Sequence, residues 1–121
     1  PLNQSTTNNN LSAVLTELEH LAESGDTQAQ VRLGEMYYGG TEISQDFLKA
    51  AMLFLKAAEK GSPDAQFYLG CMCENGVGMP KDLVKSIEWY DKAAEGGNGA
   101  AKLFLAAKIT TIRDYRNSGE N

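Results

Sequence analysis

At 121 residues and 13.1 kDa the chain is long enough for one hydrophobic core and too short for two, which excludes a multidomain enzyme. Its 42% hydrophobic and 22% charged residues, with 12 Gly against 3 Pro, are the composition of a folded globular protein. A net charge of −5, from 16 Asp and Glu against 11 Lys and Arg with no basic run, excludes nucleic acid as a partner, and the longest apolar stretch, Ala50 to Leu55, falls far short of the ~20 residues that span a bilayer.

Residues 1–10 are polar and Asn-rich with little to bury, and read as a disordered tail. Because the sequence opens at Pro1 with neither Met nor a charged-then-apolar leader, it reads as a processed or trimmed product. Beyond the tail the sequence matches itself at an offset of 36 residues. Gly25, Gly61 and Gly97 fall on one another, as do Ala29, Ala65 and Ala101, and Leu33, Leu69 and Leu105. Without a gap, residues 26–61 and 62–97 share 13 identities in 36 positions.

The elements follow in chain order from that register. Residues 11–24 align with the second half of each repeat and predict a lone helix, with Asn10 at the capping position. Repeat 26–61 starts at Asp26, whose carboxylate can accept from the free amides of a first helical turn. Ala29, Leu33 and Met36 then mark one face of a helix A, which Gly39 and Gly40 end. Asp46 caps a helix B whose face is Phe47, Ala50, Ala51, Phe54, Ala57 and Ala58, closed by Gly61. Repeat 62–97 does the same from Ser62 and Pro63, through Gly76 and Gly78, to Asp82, Tyr90 and Gly97. Residues 98–116 are a final helix A opened by Asn98, and residues 117–121 a second disordered tail.

The expected fold is therefore all-α: a right-handed α/α solenoid of six helices in antiparallel hairpins, with half-repeats capping both ends. Gly34 and Gly70 lie inside helix A, where Gly costs about 1 kcal/mol against Ala. That predicts a close approach by a neighbouring helix backbone.

These residues resemble the Sel-one-like repeat family, a solenoid family related to the tetratricopeptide repeats. The first unit carries Ala29-Gln30, Leu33-Gly34, Met36-Tyr37, Gly40, Asp46, Lys49-Ala50 and Lys56-Ala57-Ala58. The second carries Ala65-Gln66, Leu69-Gly70, Met72, Gly76, Gly78, Asp82, Lys85, Trp89-Tyr90 and Lys92-Ala93-Ala94. Departures are Glu42 for the second loop glycine, Leu53 for Trp, and Cys73 for Tyr. The resemblance implies interaction with another protein rather than catalysis, in an exported or periplasmic bacterial setting, whereas two unpaired thiols lean toward a reducing compartment.

Cys71 and Cys73 form a C-x-C, but two residues apart on a helix they point away from each other, and with His20 remote they make neither a disulfide nor a zinc site. No metal, no cofactor and no catalytic constellation is expected. Cysteine-rich relatives bring an alternative, a cell-wall-fragment or β-lactam binder with weak hydrolase activity, although this chain lacks their helix B cysteines. Trp89 and Tyr90 read as packing residues.

In solenoids of this kind helix A lines the concave surface. Opposite its apolar seam lie Arg32, Glu35 and Tyr38, then Asp64, Tyr68, Cys71 and Glu74, then Phe104. This stripe is the expected partner-binding site, with aromatic anchors and a charged rim. The partner is a second protein, bound by an adaptor or by an inhibitor of a paired protein such as a secreted effector. Stacking of a second copy on the end helices is a further reading.

Overall fold

The computed structural model describes residues 2–119, with side chains described from Asn10 onward. The elements are α1 (Leu2–Glu23), α2 (Thr27–Gly39), α3 (Phe47–Glu59), α4 (Pro63–Asn75), α5 (Leu83–Glu95) and α6 (Gly99–Gly119). The chain is all-α, and α2 and α3 map onto α4 and α5 under the 36-residue shift at both ends of each helix. Each 13-residue helix is about 20 Å long. Successive helices pack on one another from α1 to α6, as expected of a solenoid in which each unit touches its neighbours.

The gapless period has a local cause. At the end of α3, Gly61 is left-handed (φ 96°) and its N–H donates to the Ala58 carbonyl at 2.9 Å, while the Ser62 N–H donates to the Ala57 carbonyl at 3.1 Å. This satisfies two orphan carbonyls of the last turn. Ser62 at once opens α4, its hydroxyl accepting from the Ala65 N–H at 3.2 Å. Only three residues, Lys60, Gly61 and Ser62, therefore separate one helix from the next. Gly25-Asp26 and Gly97-Asn98 repeat the arrangement, with Asp26 and Asn98 accepting from Ala29 and Ala101 at 2.9 and 2.8 Å. Within each hairpin, Asp46 and Asp82 cap α3 and α5, and their own N–H groups return to the Tyr37 and Cys73 carbonyls at 2.9 Å. The loop at 40–45 thus closes on the same bond as its counterpart although it carries Glu42.

Two buried glutamines add a tie that the repeat pattern alone does not reveal. Gln30 and Gln66 donate from Nε2 to the Ala22 and Ala58 carbonyls, at 3.0 and 3.2 Å, so the starts of α2 and α4 are each bonded to the end of the helix before.

The buried clusters join each helix B to the helix A that follows it, α1 to α2, α3 to α4 and α5 to α6, and aromatic rings carry the packing across the hairpins. Phe54 and Tyr90 are fully buried, and each ring sits on a helix A glycine. A Cβ at Gly34 would lie 2.8 Å from the Phe54 ring, and one at Gly70 would lie 2.5 Å from the Tyr90 ring. The expected close approach is real, but it is made by an aromatic ring rather than by backbone. Ser86 completes the second contact by donating to the Gly70 carbonyl at 2.8 Å.

The helical ends differ from the sequence reading. α1 begins at Leu2, within the segment 1–10 read as a tail, and α6 continues to Gly119 rather than stopping at 116. Once a turn is nucleated, each added residue gains a backbone bond without needing a tertiary contact, so polarity alone does not end a helix. Pro1, Glu120 and Asn121 lie outside the described residues.

Candidate functional site

The predicted stripe forms one face on α2, α4 and α6, but its members play different parts. Arg32, Glu35 and Asp64 are exposed, Tyr38, Tyr68, Cys71 and Glu74 are half-buried, and Phe104 is 42% exposed. Tyr68 stands at the centre, stacked on Phe54 with ring centroids 4.4 Å apart and planes at 4°. Its ring also meets Tyr38 at 5.7 Å and Phe67 at 6.2 Å, and its hydroxyl donates to Glu35 Oε2 at 2.8 Å. Burial, and then that bond to a carboxylate, push the Tyr68 phenol well above its ordinary pKa, so it stays a neutral donor. Phe67, absent from the predicted stripe, carries the aromatic ladder onward to Phe104 at 5.2 Å. Its helical neighbour Tyr68 occupies the stripe, and no periodicity signal separates the two.

Between the starts of α2 and α4 the face opens into a cleft of about 480 Å³, walled by Gln28, Val31, Arg32, Glu35, Pro63 and Asp64. Asp64 in turn accepts a hydrogen bond from Asn98 Nδ2 at 3.0 Å. A second hollow of about 370 Å³ lies beside Phe104, Leu103 and Ala107. The face therefore offers aromatic surface, shape and both signs of charge.

Cys71 and Glu74 also make contacts within the fold. The Tyr90 hydroxyl donates to Glu74 Oε1 at 2.7 Å and lies 3.4 Å from the Cys71 sulfur, and Glu74 forms an ion pair with Lys108 of α6. Burial pushes the Glu74 carboxyl up, but the Lys108 ammonium and the Tyr90 hydroxyl outweigh it and hold the group below the usual carboxylate range. A carboxylate depressed on folding contributes stability that is complete above its unfolded pKa and is lost as pH falls through the folded one. Glu74→Gln is therefore expected to lower stability at pH 7 by about 1 kcal/mol, and the gap to the parent should close as pH drops below the carboxylate range. Chemical denaturation at a series of pH values checks this.

The thiols are not poised for chemistry. Cys73 is buried with its sulfur 3.0 Å from that of Met79, and burial pushes both thiols up, which keeps them protonated at neutral pH. Among the described residues, no group of three His, Cys, Asp or Glu is arranged to hold a metal ion, and no helix is long and apolar enough to cross a membrane.

The family model for the Sel1 repeat matches residues 27–62 and again residues 63–98, in register with the two hairpins. The chain belongs to the Sel1 repeat family. A Sel1 repeat protein from Oxalobacter formigenes is 40% identical, with a TM-score of 0.72 over 74% of this chain and 26% of that one. The protein c5321, a protective antigen present in uropathogenic Escherichia coli strains and displaying an SLR fold, is 39% identical, with a TM-score of 0.73 over 77% of this chain and 20% of that one. Helicobacter pylori cysteine rich protein B, 24% identical with a TM-score of 0.72 over 78% of this chain and 71% of that one, shares the fold. This chain thus spans about a quarter and a fifth of the length of the first two structures. No curated protein sequence matches it. Sel1 repeats in general mediate protein–protein interaction and serve as non-catalytic scaffolds.

Proposed function

We propose that this chain is a non-catalytic protein-binding module whose helix A face holds a segment of a partner protein, as an adaptor within an assembly or as an inhibitor of a paired protein. The observation that carries the reading is the ladder Tyr38, Tyr68, Phe67 and Phe104, which crosses three A helices and leaves aromatic surface beside a charged cleft. Aromatic anchors supply most of the affinity in such interfaces, while rim charges such as Arg32, Glu35 and Asp64 steer the encounter.

The test is affinity capture from the source cell with the parent and two variants. Phe104→Ala is expected to lose the protein that the parent retains, and Met52→Glu, on the exposed helix B side, to keep it. Loss with Met52→Glu and retention with Phe104→Ala would move the site to the helix B face.

A further inference from the structure

On the central helix B, α3, not every apolar side chain turns inward. Leu48, Met52 and Leu55, spaced by four and three, share one side of the helix with 68%, 62% and 43% of their surfaces exposed. The repeat does not require them. The same register positions carry Ser12, Thr16 and Glu19 on α1 and Val84, Glu88 and Asp91 on α5, and those helices stack as well. A contiguous apolar stripe that the packing does not call for marks an interaction surface.

The stripe forms one wall of a groove that opens towards α5. Leu55 stands across from Trp89 and Lys85, over a hollow of about 360 Å³ floored by Leu69, Cys73 and Met79. Gly78 brings that floor up to α3. Its backbone is left-handed (φ 72°) and a Cβ there would lie 2.6 Å from the Phe47 carbonyl oxygen, so glycine is what lets the loop carrying Met79 pass so close. The first hairpin has Glu42 at this position.

The rim of the groove on the α5 side is basic. Lys85 lines the hollow, and the Lys92 ammonium lies over the Trp89 ring, 4.9 Å from its centroid. Asp82 lines it too, but its carboxylate is engaged in capping α5, accepting from the Lys85 N–H at 3.0 Å. Glu88 and Asp91 hold the α5 positions that correspond to Met52 and Leu55, which places them on the outer ridge and far side of α5, and Glu59 closes the stripe at the end of α3.

We propose that the groove between α3 and α5 is a second docking surface, separate from the helix A face, and that it takes an amphipathic helix of another protein with acidic flanks. The apolar seam of that helix packs along Leu48, Met52 and Leu55 and sends a large side chain into the hollow against Trp89, while Glu or Asp on its flank meets Lys85 and Lys92. Two neighbouring B helices offer the groove that a third helix fills, and the basic rim is what selects an acidic occupant. With one partner on each side, the module joins two proteins.

The chain has a single Trp, so the emission of Trp89 reports on the groove directly. The probe is a synthetic Trp-free helical peptide with Leu along one face and Glu on its flanks, compared with a peptide carrying Lys in place of each Glu. The Glu-flanked peptide should shift the Trp89 emission saturably, bind about tenfold or more tightly than the Lys-flanked one at low salt, and weaken as salt is added. Met52→Glu should weaken it about tenfold, and Lys85→Glu should remove the preference for the Glu-flanked peptide. Both residues are exposed, and circular dichroism confirms parental helicity. Val84→Glu, on the far side of α5, should bind as the parent does. An emission that stays unchanged up to millimolar peptide would overturn the proposal, as would equal affinity for the two peptides or parental binding by Met52→Glu. Self-association of the free chain that Met52→Glu abolishes, read by sedimentation velocity, would also overturn it by giving the face to a second copy.

Discussion

Replacing Tyr90 by Ala is expected to destabilise the protein by about 3 to 5 kcal/mol, the range for emptying a large aromatic site in a core. The ring is fully buried and fills the space above Gly70, 5.8 Å from Phe67 and 5.6 Å from Phe104 between centroids. Its hydroxyl also anchors Glu74, which holds Lys108 of α6, so the same substitution loosens the last helix. The converse change fills the glycine. A Cβ at Gly70 would already lie 2.5 and 2.6 Å from two Tyr90 ring atoms, so Gly70→Leu should cost about 1 to 3 kcal/mol by overpacking, and Gly34→Leu a similar amount against Phe54. Urea denaturation measures each. Since ring and glycine share one contact, Gly70→Ala combined with Tyr90→Leu should cost less than the sum of the two single changes. Glycine variants that unfold at the parental midpoint would contradict the ring-on-glycine account.

How much of this was legible in the sequence depends on whether a residue's role repeats. The helix boundaries were readable because capping side chains and closing glycines recur every 36 residues, and the three-residue junction Lys60-Gly61-Ser62 leaves no room for the register to drift. Gly34 and Gly70 announced a close contact, since nothing else makes Gly favourable within a helix, but not the atoms that approach. An aromatic at Phe54 or Tyr90 is equally compatible with a ring pointing to the next repeat. The aromatic contacts of Phe67 and the links from Tyr90 through Glu74 to Lys108 depend on three-dimensional placement of one helix against another, and each occurs once. A contact that occurs once has no echo in the register. The register therefore shows Glu74 and Cys71 only as members of the stripe and not their additional contacts with Tyr90. The helical residues before Leu11 were hidden for another reason: polar composition reports what a segment can bury, not whether its backbone continues a helix already started.

Replacing Tyr68 by Ala is expected to weaken partner binding by about 2 kcal/mol, a factor of roughly 30, as for a central aromatic anchor. The sequence reads this residue as an aromatic anchor of the stripe opposite the apolar seam. Its 4.4 Å stack on Phe54 and its bond to Glu35 add to that reading, so Tyr68→Ala should also lower stability, by about 2 kcal/mol, because half of the ring is core. Two further variants separate the effects. Tyr68→Phe keeps the stack and frees Glu35, and should retain stability to within about 1 kcal/mol while altering any contact that uses the hydroxyl. Arg32→Glu lies on an exposed rim position and should act on association rate and on its salt dependence, with little change in dissociation. Titration calorimetry on folded protein gives the affinities, and stopped-flow mixing at several ionic strengths gives the rates. If Tyr68→Ala loses stability but the folded fraction binds as tightly as the parent, and Arg32→Glu associates at the parental rate, Tyr68 belongs to the core and the partner is held on the helix B side.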